Sequence, residues 1–291
     1  QNAGKMRNKG LELALGYHKK VNEWLFKANV AVAHNQNRVT DLKGMSPIIY
    51  DGAILKEGVE STSLFGYDIE GIYQSESEIQ QHLRTFDDDG YSLLNSYAGL
   101  RALPGDVRLK DQNGDRIIND KDKVVLGHTA PDYVFSADLN VQYKGFELRS
   151  LLEGTSGGKG WSAGQLVTPF FNGGYNGASW LIDRWTPEQP NNTYQRVYFD
   201  NQRSNLKSSY FVEDLSYLRV KNIEISYNLS DQTLRKLSIQ GCRFFISGQN
   251  LLTLTNYKGF DPEASGNPRE GTRIGNYPQV KTYTVGVNLT F

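Results

Sequence analysis

The last ten residues constrain the fold most. They read Thr282-Tyr283-Thr284-Val285-Gly286-Val287-Asn288-Leu289-Thr290-Phe291, with odd positions aromatic or aliphatic and even positions small or polar. Side chains alternate across a strand, so this segment carries one wholly apolar face and one polar face. A flat exposed edge of this kind invites aggregation in water. In an outer-membrane barrel both edges are paired, the apolar face meets lipid and the polar face meets the lumen. Tyr283, Val285, Val287, Leu289 and Phe291 are therefore expected to form the outward face of a barrel-closing strand, with the even-numbered residues facing the lumen.

Six further segments share this period. Leu11, Leu13, Leu15 and Tyr17 alternate with Glu12, Ala14, Gly16 and His18. Trp24, Phe26, Ala28, Val30 and Val32 follow. Tyr133, Phe135, Ala137, Leu139, Val141 and Tyr143 form the third set. The others run over about 146–154, 215–229 and 241–254. Parity switches between Val220 and Ile223, which predicts a bulge near Asn222. Connectors alternate in length: 18–22, Lys144-Gly145 and 230–239 are short, and 35–131, 156–213 and 255–280 are long. Outer-membrane barrels have short periplasmic turns and long extracellular loops. If the last strand ends in the periplasm, every short connector falls on that side. The stretch 231–237 reads as a helical turn or two. Residues 67–73 are a candidate extra strand pair, and 76–86 look helical. The fold class is thus all-β, an antiparallel transmembrane barrel segment with long extracellular loops. Seven strands is an odd count, whereas single-chain bacterial barrels are even-numbered, so 1–291 reads as the C-terminal part of a larger barrel. A soluble sandwich or set of propeller blades shares the periodicity and is the competing architecture.

Composition removes other classes. The 32 basic and 32 acidic residues cancel, leaving no electrostatic basis for nucleic-acid binding. Mean hydropathy is -0.54 and no run of 18 apolar residues exists, which excludes a transmembrane helix but not half-polar barrel strands. Cys242 is the single cysteine, so no internal disulfide forms.

One stretch carries metal chemistry. From Asp111 to Asp122, oxygens fall at the calcium-loop positions: Asp111, Asn113, Asp115, the Ile117 carbonyl, Asn119 and Asp122. Arg116 stands where such loops carry the glycine of the sharp turn, and Asp rather than Glu closes it. A structural Ca²⁺ bracing a long external loop is the expectation; an Asx-turn cluster without metal is the alternative. Catalysis finds no support. Gly154-Thr155-Ser156-Gly157-Gly158 matches a nucleophile elbow, but a Gly-rich stretch follows where a helix must start. The four histidines are scattered. Trp161, Tyr175, Trp180, Trp185 and Tyr194 crowd one loop, where they stack on a substrate or partner or pack the loop on itself.

Several blocks then become familiar. Asn8-Lys9-Gly10-Leu11-Glu12-Leu13, Pro104-Gly105-Asp106-Val107-Arg108 with the calcium-like loop, and Tyr217-Leu218-Arg219-Val220-Lys221-Asn222 are three. Ser247-Gly248-Gln249-Asn250-Leu251-Leu252, Gly259-Phe260-Asp261-Pro262-Glu263 and Tyr277-Pro278 complete them. Together they resemble the SusC/RagA family of TonB-dependent outer-membrane transporters, over nearly the whole chain. The resemblance implies a 22-stranded barrel in the cell outer membrane with an N-terminal plug energised by TonB. It implies a SusD-like surface lipoprotein as partner, outer-membrane lipid around the wall, and import of oligosaccharides or peptides. The plug is expected to be absent from 1–291. A secreted, calcium-braced β-module that binds glycans is the rival function.

Overall fold

The computed structural model describes residues 4–61, 63–84, 97–162, 179–190, 193–198, 206–263 and 278–291. In chain order the elements are β1 (Lys5–Val21), β2 (Trp24–Asp41), β3 (Ile48–Tyr50), β4 (Ala53–Leu55), β5 (Ser63–Tyr67) and β6 (Ile69–Ile72). Helix α1 (Glu76–His82), β7 (Val107–Leu109), β8 (Lys123–His128), β9 (Tyr133–Tyr143), β10 (Phe146–Ser156) and β11 (Lys159–Trp161) follow. Then come β12 (Val212–Asp214), β13 (Tyr217–Asn228), α2 (Asp231–Leu237), β14 (Gly241–Thr255) and β15 (Thr282–Thr290).

Seven strands form one open antiparallel sheet in the order β1-β2-β9-β10-β13-β14-β15, so the strands expected from alternation all lie side by side. Their short connections share one end. Lys144 and Gly145 both take positive φ, 46° and 87°, the type I′ geometry whose twist suits a two-residue hairpin. Helix α2 spans the turn between β13 and β14; Ser230 caps it, and Ser238 ends it in the left-handed region. The expected bulge is present, since pairing skips Lys221 between Val220 and Asn222.

Three expectations change. The first two strands run well beyond the apolar stretch, to 17 and 18 residues, so 35–41 belong to β2 rather than to a loop. The polar outer ends escape a pattern search because they lack apolar alternation, yet they pair residue for residue. Residues 67–73 add no strand pair to the large sheet: β5 joins a four-stranded sheet, β3-β4-β5-β8, and β6 pairs with β7. The long connection between β2 and β9 is therefore a folded platform. Its core holds Tyr67, Tyr73, Ile79, Leu83, Tyr97, Val107, Leu109 and Ile118, with Leu64, Trp161 and Phe211 in a second cluster.

The large sheet inverts this arrangement. The apolar residues of one face are solvent-exposed, Leu11 at 73%, Tyr283 at 72% and Val285 at 79% among them. Near the short turns the same face carries a continuous aromatic row. Trp24 faces Tyr143, which faces Phe146, which faces Tyr227, which faces Phe244. Trp24 stacks on Tyr143 at 4.3 Å, and Phe146 meets Tyr227 at 4.6 Å. The opposite face is polar: Arg243 pairs with Glu224, and Asn140 donates to Glu147. No helix among the described residues is long and apolar enough to cross a membrane.

Candidate functional site

The densest charge cluster lies on the polar face near the long-loop end of β13. Parity places Arg219 on that face, opposite Glu153 on β10 and Thr253 on β14. Arg219 is only 2% exposed. Its Nη2 donates to Asp261 Oδ1 at 2.6 Å, its Nη1 to Glu263 Oε2 at 2.6 Å and its Nε to Thr253 Oγ1 at 2.9 Å. Lys221, the bulged residue, reaches Glu263 at 2.6 Å and Glu153 at 3.8 Å. Asp261 also accepts from the amides of Glu263 and Gln279. Burial pushes the Asp261 carboxyl up, but Arg219 and those two amides hold it below the ordinary carboxylate range. A guanidinium without carboxylates would be prohibitive at this depth; with two of them the loop between β14 and β15 is clamped to the wall. A hollow beside the clamp is lined by Glu12, Ala14, Ala33, Ser136, Glu153 and Tyr217.

Arg219, Asp261 and Glu263 stand within the motif blocks, where the sequence alone marks no role for them. Their signal was present: a lone arginine between Leu218 and Val220 on a dyad strand, and two acids flanking one proline. What joins them is a separation of about 40 residues, which no local pattern encodes.

The 111–122 loop takes the conformation its residues suggest. Asp111 Oδ1 accepts from the amides of Asn113 and Gly114, and Oδ2 accepts from Arg116 at 2.6 Å. Burial raises the Asp111 carboxyl, and those three amides bring it below its ordinary value. Asp115 accepts from the Ile117 amide. Asn119 caps the turn 120–122, and the fully buried Asp122 accepts from Gln112 and Asn119. Arg116 is left-handed at φ 64°, the conformation that glycine would supply. Its Nη2 reaches the carbonyls of Gln80 and Leu83, closing the C-terminal end of α1. Among the described residues, no three His, Cys, Asp or Glu side chains gather about one point; a calcium site here would draw as well on the side-chain oxygens of Asn113 and Asn119 and on the Ile117 carbonyl. The loop's own amides donate to these carboxylates.

The loop aromatics divide. Trp161 and Trp185 are buried, 2% and 5% exposed, and therefore offer no stacking face. The Trp161 indole donates to the Gly52 carbonyl and the Trp185 indole to Gln74 Oε1. Trp185 also explains Pro104-Gly105-Asp106: Gly105 has φ 93°, and a Cβ there would lie 2.4 Å from the Trp185 ring. Asp106 is buried and accepts from Tyr198 and Leu103. Tyr194 is half-buried, and its carbonyl accepts from the Trp185 amide. Trp180 falls in a short 3-10 turn, and Tyr175 lies outside the described residues. Tyr283, Val285, Val287, Leu289 and Phe291 are all exposed.

Comparison with known proteins follows this geometry. No family model matches the chain. It is 28% identical, along its whole length, to TonB-dependent receptors P3 and P26 of Formosa agariphila, and 23% identical to the TonB-dependent receptor SusC of Bacteroides thetaiotaomicron. It spans 29%, 30% and 27% of those proteins. Among solved structures, the RagAB peptide importer in the open-open state matches all of the chain, with a TM-score of 0.75 at 23% identity, covering 29% of that chain. These relatives are receptors and importers rather than enzymes. Sequence and fold likeness together support a SusC/RagA-like segment of a TonB-dependent transporter, the family that the motifs resemble.

Proposed function

We propose that the chain forms part of the wall and external platform of an outer-membrane importer driven by TonB, working with a SusD-like lipoprotein to take up oligosaccharides or peptides. The observation that carries this reading is the large sheet's outward face. It sets leucines, valines and an aromatic row where a soluble protein would put polar groups, while its other face holds the charges. A secreted glycan-binding module would have to leave that face in water. TonB would act through a plug region against the polar wall. The lipoprotein would meet the platform, where Ile48, Ile49 and Tyr50 on the outer strand β3 are 49%, 59% and 59% exposed. Ca²⁺ bracing of the 111–122 loop is a narrower part of the same proposal. The carboxylates of Asp111, Asp115 and Asp122 keep lone pairs beyond those that accept from backbone amides, and these would bind the ion.

The test uses two adjacent residues on opposite faces. Val285→Arg puts a charge near the middle of the apolar face and is expected to cost about 2–4 kcal/mol in a bilayer. Thr284→Arg points into the lumen and is expected to cost under about 1 kcal/mol. Denaturant unfolding of the intact membrane protein in vesicles reads both. Equal effects from the two substitutions would refute the membrane reading.

A further inference from the structure

The outward face of β1 and β2 does not fade into neutral residues above its apolar band. The parity that carries Leu11, Leu13, Leu15 and Tyr17 continues upward to Lys9 and Arg7. On β2 the parity of Val30 and Val32 continues to Arg38. Arg7 lies directly opposite Arg38, and Lys9 opposite Gln36. All three cations are exposed, and among the described residues no carboxylate is ion-paired with any of them. Of the acids nearby, Asp41 pairs with Lys43 at 3.0 Å, and Glu60 lies 3.3 Å from His128 and attracts Arg38 only through space. Two like charges directly opposite each other in a sheet are destabilising, so this arrangement calls for an anion lying over the pair.

Height identifies the anion. A strand rises about 3.4 Å per residue and tilts about 40° in a barrel, so Lys9 lies about 5 Å and Arg7 about 10 Å above Leu11. The headgroup layer on each side of a bilayer is roughly 5–8 Å thick. Lys9 thus sits level with lipid phosphates, and the long side chains of Arg7 and Arg38, which start just above that layer, snorkel back to it on the side of the sheet that faces lipid. Guanidinium forks match phosphate oxygens, and Lys9 supplies a third point charge. We propose that Arg7, Lys9 and Arg38 bind the phosphate of an anionic membrane lipid in the leaflet on the long-loop side, with its acyl chains against Leu11, Leu13 and Val32. A lipid fits better than free phosphate because the cations continue the apolar band without a break. This inference rests on the membrane reading above.

Native mass spectrometry of the intact membrane protein in neutral detergent provides the test, with added monophosphoryl lipid A as probe. The same glycolipid lacking phosphate, and inorganic phosphate alone, are the controls. The protein should retain the phosphorylated lipid, and the triple variant Arg7→Gln, Lys9→Gln, Arg38→Gln should lose more than about tenfold in retention, at about fivefold per charge. Equal retention by the variant, equal binding of the dephosphorylated lipid, or saturation by inorganic phosphate alone would each overturn the proposal. Should the triple variant misfold, Arg38→Gln decides. It should bind the lipid about fivefold less tightly and melt higher than the parent protein in neutral detergent, because the repulsion with Arg7 is gone. A lower melting temperature there would overturn the proposal. The Val285/Thr284 comparison separates the two readings. If it fails, no membrane surrounds these cations; if it holds while lipid retention does not change, only the phosphate site is lost.

Discussion

Replacing Asp261 by Asn tests the clamp with the least change of shape. The carboxylate accepts from three donors: Arg219 and the Glu263 amide on Oδ1, and the Gln279 amide on Oδ2. An Asn side chain has one acceptor oxygen and an amide that only donates, so at least one donor loses its partner in either flip. Breaking a buried ion pair costs about 3–5 kcal/mol. Glu263 still neutralises Arg219 at 2.6 Å, which leaves about 2–3 kcal/mol of loss. At 1.4 kcal/mol per tenfold, local opening becomes about 30- to 150-fold more frequent. Hydrogen exchange at Glu263 and Gln279 in the intact membrane protein reads this directly. The pH dependence supplies a second check. Because the folded Asp261 lies below its ordinary value, its stabilisation is fully present above about pH 4 and is lost as pH falls through the folded value. Corrected for intrinsic rate, the parent protein should hold its protection from neutral pH to about pH 4 and lose it below. The Asn variant should show no such step. A change in opening under about threefold at neutral pH would mean that the clamp carries no net stability and would refute the reasoning.

The wall was legible and the clamp was not, for a physical reason. An apolar face on one side and a polar face on the other impose a two-residue period on every strand, so Leu11 to Tyr17, Tyr133 to Tyr143 and the last strand declare themselves locally. The bulge at Lys221 was visible because a one-residue insertion flips that parity. The outer ends of β1 and β2 were missed because they extend past the apolar band, where neither face is compelled to be apolar. The platform strands β3 to β8 are three to six residues each, too short to display a period. For the same reason Trp161 and Trp185 were legible as aromatic loop residues but not as core. Their indoles are fixed by Gly52 and Gln74, each more than 100 positions away. The calcium-like spacing identified the turn conformation, including the left-handed place of Arg116, because Asx turns are local. Spacing says nothing about whether carboxylates converge on an ion or are taken by amides.

Two further outcomes are expected. Ile49→Asp with Tyr50→Asp should weaken co-purification of the partner lipoprotein at least tenfold, by about 1.4 kcal/mol, while leaving membrane insertion unchanged; undiminished co-purification would place the contact elsewhere. Arg116→Gly sets two effects against each other. Glycine relieves a left-handed backbone worth about 1–2 kcal/mol. It also removes the guanidinium that binds the Gln80 and Leu83 carbonyls, and charged hydrogen bonds of this kind contribute about 1.5–3 kcal/mol each. Partial exposure halves that figure, yet two such bonds still outweigh the strain by about 1 kcal/mol. The variant should therefore melt a few degrees lower in metal-free buffer, which differential scanning calorimetry measures. If millimolar Ca²⁺ raises the melting temperature of the Gly variant above that of the parent protein in the same buffer, arginine has been suppressing an ion site. If Ca²⁺ moves neither protein, the loop is held by its own amides and by Arg116, and the calcium proposal fails.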